Sequence, residues 1–253
     1  MMSIRQTYTL AGIMLFTLVI VCLAPSKVFA QDPGRIMVGD FSSSDAGRHL
    51  PAGWQEHNFS KIPERTHYES VIEGERVVIK AQSRSSASGL IRRIEIDPNE
   101  YPIIEWRWKI DGILKKGDAR LKAGDDYAAR VYLFFAYDPS LLPLAERIKY
   151  NTIKLLRGEY PPSAVLNYIW ANKVPINTLI PSPYTKRSMM VAIQSGEGQA
   201  GQWAREERNI LVDFREAFKA EPPMITGVAI MTDSDNTGES ATAWYGDIIF
   251  RKE

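Results

Sequence analysis

Apolar and polar positions alternate with a period of two, or run as short β-branched stretches, in five early segments: residues 36–41, 66–73, 76–82, 89–96 and 103–110. Alternation at that period marks half-buried strands, and Gly, Pro, Asn, Asp and Ser punctuate the segments as turns. Glu73-Gly74-Glu75 reads as a tight hairpin turn, and Asp97-Pro98-Asn99 as a turn with Pro at its second position. Within Ile103–Ile110 the pattern assigns faces: Ile104, Trp106, Trp108 and Ile110 point to a core, while Glu105, Arg107 and Lys109 point away from it. Residues 127–137 read as one long buried strand, too apolar on both sides for an edge, with Arg130 and Tyr132 sharing a face.

The period then changes. Asp138 is placed as an N-cap and Pro139 as the first helical residue. Leu141, Leu144, Ile148, Thr152, Leu155 and Leu156 follow at helical spacing as far as Gly158, with Arg147, Lys149, Lys154 and Arg157 on the exposed face. Strand-like stretches return at 165–170 and 188–194, around a proline-punctuated loop at 175–183. A second helix is predicted over 203–218, with Trp203, Leu211, Phe214 and Phe218 on one stripe and Pro222-Pro223 as its stop. Strands at 225–232 and 241–251 close the chain. Many short strands with two isolated helices predict a mainly β fold, an antiparallel, jelly-roll-like β-sandwich with two peripheral α-helices. It is expected as one domain over residues 31–253, with a helical and proline-rich insertion at about 138–186.

The first thirty residues change where this fold is expected to reside. Arg5 precedes an apolar run over 10–23, and Val28-Phe29-Ala30 precedes a polar Gln31-Asp32-Pro33, which is the layout of a secretory signal peptide cleaved near Ala30. The run is short of the roughly 20 residues a spanning helix needs, so no transmembrane anchor is expected after cleavage, and the location is the periplasm or beyond. The single cysteine, Cys22, lies inside this leader. A mature chain without disulfides must rely on its hydrophobic core, which its length allows. The net charge of +1 gives no reason to expect a nucleic-acid partner.

Candidate chemistry concentrates in the closing hairpin. Asp233, Asp235, Thr237 and Gly238 fall at the first, third, fifth and sixth positions of a calcium-loop pattern, but the twelfth is Trp244 instead of Glu, which excludes a helix-loop-helix calcium hand. A shorter calcium site from Asp233, Asp235 and Glu239 survives, beside the reading of an Asx turn that caps its own backbone. Gly124-Asp125-Asp126-Tyr127 is a second acidic turn, read as structural or as paired with Arg107 or Arg130. Gly196 to Gly201 matches G-x-G-x-x-G, but too little chain follows for a dinucleotide fold, and the glycines are read as a loop. His49, His57 and His67 form no metal motif, and no familiar hydrolase triad is visible.

Gly124 to Phe135 (G-D-D-Y-A-A-R-V-Y-L-F-F), E-W-R-W-K at 105–109 and M-T-D-S-D-N-T-G at 231–238 together resemble an uncharacterised bacterial exported family, catalogued as domain of unknown function 3047. That resemblance implies a fold neighbourhood and no activity. The closing W-Y-G-D-I-I-F is similar to the last strand of galactose-binding-like carbohydrate-binding sandwiches, which implies a saccharide ligand. The expected function is therefore an exported protein binding a saccharide or cell-envelope glycan on a concave sheet face, with calcium as the candidate ion. Glu105, Arg107, Asp126 and Arg130 would supply hydrogen bonds, Trp244 and Tyr245 stacking, and Asp233, Asp235 and Asn236 ligand or metal contacts. An envelope-polysaccharide hydrolase or lyase and a non-binding envelope scaffold remain as alternatives.

Overall fold

The computed structural model describes residues 34–47 and 50–253; the leader, its cleavage point and His49 lie outside the described residues. The strands are β1 (Arg35–Gly39), β2 (Trp54–Asn58), β3 (His67–Glu73), β4 (Arg76–Arg84), β5 (Ala87–Ile96), β6 (Ile103–Ile110), β7 (Arg130–Phe135), β8 (Ala164–Ala171), β9 (Leu179–Pro181), β10 (Ser188–Ser195), β11 (Ala204–Asn209), β12 (Ile225–Asp233) and β13 (Ser240–Arg251), and the helices are α1 (Leu144–Arg157) and α2 (Ile210–Phe218). Two sheets result. One has six strands, in the order β11-β6-β13-β4-β3 with β1 also on β13, and the other has seven, in the order β2-β5-β12-β7-β8-β10-β9.

The alternation in β6 carries through to packing. Trp106 and Trp108 are buried while Arg107 and Lys109 are only partly so, and Trp108 and Phe250 share one buried cluster with Leu133, Trp170 and Ile230 of the seven-stranded sheet. The fold is the expected β-sandwich. The β3–β4 hairpin turns through Gly74, whose φ of 66° suits a residue without Cβ.

The structure departs from the sequence reading at five points. The pairing is antiparallel except between β8 and β10, which run parallel. Residues 138–186 are not an insertion, because β8 from that stretch lies between β7 and β10 inside the seven-stranded sheet.

The second helix is shorter than its periodicity implied. The Asn209 side chain accepts from the Val212 amide at 3.2 Å, so α2 starts at Ile210, and the preceding charged residues pair with β6 as an edge strand instead. Charged side chains on an edge discourage pairing with other chains. This edge strand also follows the Gly196–Gly201 loop, where a dinucleotide site would need a helix N-terminus.

Asp138 does cap, accepting from the Ser140 amide at 2.7 Å, but only the 3-10 turn Pro139–Leu141 follows, and α1 begins after Pro143. The predicted orientation of α1 is also reversed. Leu144, Ile148, Leu155 and Leu156 are exposed, whereas Arg147 donates to the Leu142 carbonyl and buried Tyr150 donates to that of Pro162. Among the described residues no helix is long and apolar enough to cross a membrane.

Candidate functional site

The residues expected to share one concave face fall into two groups separated by the core. Period-two alternation turns Arg107 away from the core on the six-stranded sheet and Arg130 away from it on the seven-stranded sheet. Glu105, Arg107 and Trp244 belong to the first group, and Asp126, Arg130, Asp233, Asp235 and Asn236 to the second. Tyr245 belongs to neither. Its ring is fully buried and its hydroxyl donates to the Met231 carbonyl, receives the Arg130 amide and meets the Thr232 hydroxyl, so it ties the sheets together and offers no stacking surface.

Around the acidic turn, β7 and β12 place Arg130 and Asp233 side by side. The guanidinium donates to both carboxylate oxygens, Nε to Oδ1 at 2.9 Å and Nη2 to Oδ2 at 2.6 Å. Its Nη1 donates to the Tyr132 hydroxyl at 2.9 Å, its Nη2 lies 3.7 Å from the Asp125 carboxylate, and its plane covers the Tyr127 ring. Asp126 accepts from the amides of Asn236 and Thr237 at 3.3 and 2.6 Å, holding the turn in place. Carboxylate oxygens of Asp126, Asp233 and Asp235 lie within 4.8 Å of one another. Glu239 is not with them. It accepts from the Lys115 and Lys116 amides at 3.3 and 3.0 Å, because the loop after β6 docks against the end of the hairpin.

Burial pushes the Asp233 carboxyl well up, with Asp126, Asp125 and Asp235 adding to the push against the pull of Arg130. Burial likewise raises Asp125, opposed by Arg130, and raises Asp235, where Asp126 adds to it. A carboxyl whose folded pKa lies above its unfolded 3.8 contributes stability that is fully present below 3.8 and lost as pH rises through the folded value. Asp125→Asn, a neutral isostere, should therefore hold its largest melting-temperature advantage over the parent at neutral pH. That advantage should shrink as pH falls towards 4 in a thermal scan; parallel curves would count against the raised carboxyl.

The outer face of the six-stranded sheet is chemically different. A cleft of ≈ 310 Å³ opens there, with Arg76, Arg107, Arg205, Glu105, Glu207 and Asp247 in its lining. Beside it, Trp203 and Trp244 are half-buried, with the Lys109 Nζ 5.6 Å from the first ring centroid and 4.2 Å from the second. Arg107 lies under Trp203 with its guanidinium carbon 4.5 Å from the ring centroid. Trp203, Arg205 and Arg76 were absent from the sequence-derived site. The signal that could have placed two of them was the alternation of residues 203–207, which the helical reading of 203–218 overrode.

The family described as a protein of unknown function, DUF3047, matches residues 52–249. The chain belongs to DUF3047. No curated protein matches it. Among solved structures, this DUF3047 chain is similar to a meso-active thermo-stable cellulase derived from the Cel12A cellulase of Rhodothermus marinus, at 9% identity and a TM-score of 0.43, covering 85% of this chain and 98% of the other. Nothing about chemistry rests on a likeness at that score.

Proposed function

We propose that this is an exported saccharide-binding protein whose ligand lies on the outer face of the six-stranded sheet. The observation that carries the reading is the pair Trp203 and Trp244 flanking Lys109 at the edge of an open cleft rich in guanidinium and carboxylate groups. Tryptophan edges and faces give the apolar surface that a pyranose ring stacks on, and planar polar side chains hydrogen-bond its hydroxyls.

Binding is favoured over hydrolysis by how the cleft acids are spent. Glu105 is ion-paired to Arg35 and Arg251, Glu207 to Arg251, and Asp247 accepts from the amide and hydroxyl of Ser42 at 2.8 and 2.6 Å. Burial pushes the Glu206 carboxyl up, but its Oε1 already takes donors from Trp108 and Gln194 at 3.0 and 2.9 Å. We read the Arg130 cluster as structural. Both oxygens of Asp233 are occupied by Arg130 and both of Asp126 by backbone amides, whereas calcium takes 6–8 oxygen ligands.

The test is calorimetric titration with a panel of envelope and plant oligosaccharides, with calcium and with chelator. At least one should bind, Trp203→Ala and Trp244→Ala should each weaken it by about 1–3 kcal/mol, the scale of a lost aromatic anchor at a binding hot spot, and calcium should not alter it. Flat titrations across the panel would remove the reading.

A further inference from the structure

Every carboxylate in the cleft lining has a partner, but its three arginine side chains do not: among the described residues, the guanidinium groups of Arg76, Arg107 and Arg205 take part in no ion pair or hydrogen bond, although Glu105, Glu207 and Asp247 line the same cleft. Arg107 is the most constrained of the three. Its Nε and Nη2 are buried without a hydrogen-bond partner, its plane is held beneath the Trp203 ring, and its stem crosses Gly246. A Cβ at position 246 would stand 2.3 Å from the Arg107 Nε and 2.4 Å from its Cγ, so the absence of a side chain there is what gives the guanidinium its seat. Buried donors left unpaired cost free energy, and a guanidinium presents them in a fork that matches the two oxygens of an oxyanion.

We propose that Arg107, flanked by Arg76 and Arg205, is the anchor of an oxyanion site, so that the ligand of this cleft is an acidic saccharide carrying a carboxylate, sulfate or phosphate group. This rests on the saccharide reading for the body of the ligand, but the oxyanion site stands on its own geometry. Burial, Arg76 and Arg205 together push the Arg107 pKa down against Asp247, which is the mark of a cation crowded by cations and short of a counter-charge. An incoming oxyanion supplies that charge from the open side of the cleft. The aromatic pair then takes the ring of the same sugar, and the spent acids disfavour ligands whose charge is placed elsewhere.

The experiment titrates the full mature chain with three probes: an acidic oligosaccharide (uronic, sulfated and phosphorylated versions in separate arms), its neutral counterpart with the acidic group removed, and sodium sulfate or glucuronate alone. The acidic form should bind about 10- to 100-fold more tightly than the neutral one, the scale of a charge-assisted bidentate contact. Arg107→Gln should erase that preference. Gly246→Ala should erase it as well while keeping every charge, because the new methyl group evicts the guanidinium; general attraction of an anion to a basic surface would survive that change. Circular dichroism and melting temperature confirm that both variants fold, and Arg205→Gln, on an exposed edge, gives a third reading should either fail. Equal binding of acidic and neutral forms overturns the oxyanion site and leaves the saccharide reading intact. Arg107-dependent binding of sulfate or glucuronate with no oligosaccharide bound does the reverse. Absence of binding by any probe overturns both.

Discussion

Asp233→Ala should lower the stability of the protein by about 3–5 kcal/mol, the cost of breaking a buried ion pair by removing one partner. Arg130 and Asp233 are buried side chains, and the alanine variant leaves a guanidinium in the interior with only the Tyr132 hydroxyl, the Asp125 carbonyl and a carboxylate 3.7 Å away. The loss is read as a lower urea midpoint at an unchanged m-value. The companion experiment separates the pair's charge from its space. Arg130→Met with Asp233→Leu removes both ions together, and most of the loss should be recovered, since apolar replacement of a whole buried pair is often neutral. A loss under about 1 kcal/mol for Asp233→Ala would place the pair among weak surface-like bridges. Unchanged saccharide binding by the double variant would support assigning the acidic hairpin to the scaffold and the ligand to the opposite face.

Trp108→Ala should cost a similar amount, about 3–5 kcal/mol, as expected for truncating a large buried aromatic. The ring is fully buried, stands edge-on to Trp106 with centroids 5.3 Å apart, and lies 5.9 Å from Trp170 across the sandwich. Its Nε1 donates to Glu206 at 3.0 Å, so the same ring joins the core to the cleft edge. Trp108→Phe isolates that bond: it should cost less than the alanine change, because most of the volume is retained. A drop in melting temperature of only a degree or two for Trp108→Ala would contradict the packing, since 1 kcal/mol corresponds to roughly 2–4 °C in a protein of this size.

How much of this was legible beforehand differs between the fold and the site. The sandwich could be read because strand periodicity is local: Ile104, Trp106, Trp108 and Ile110 take one side whatever lies across from them. The start of α2 could not, because residues 203–218 fit a helical stripe nearly as well as they fit an edge strand followed by a helix. The choice came from pairing with β6 and from the Asn209 cap. The same ambiguity hid Trp203 and Arg205 from the candidate site. The reversed face of α1 is harder still, since its apolar stripe carried no local sign that Tyr150 and Arg147 would hold the helix instead.

The acidic hairpin shows the division plainly. The sequence by itself determined that Asp233, Asp235 and Asn236 crowd one turn between two strands, that Arg107 points away from a core, and that Arg130 shares a face with Tyr132. Only the tertiary structure decided that these arginines look outward from different sheets, that Arg130 is consumed by Asp233, and that Arg107 is left with unspent donors over Gly246. The reason is physical: alternation along a strand sets which side a residue takes, whereas strand order and sheet packing, made of contacts distant in sequence, set what that side faces.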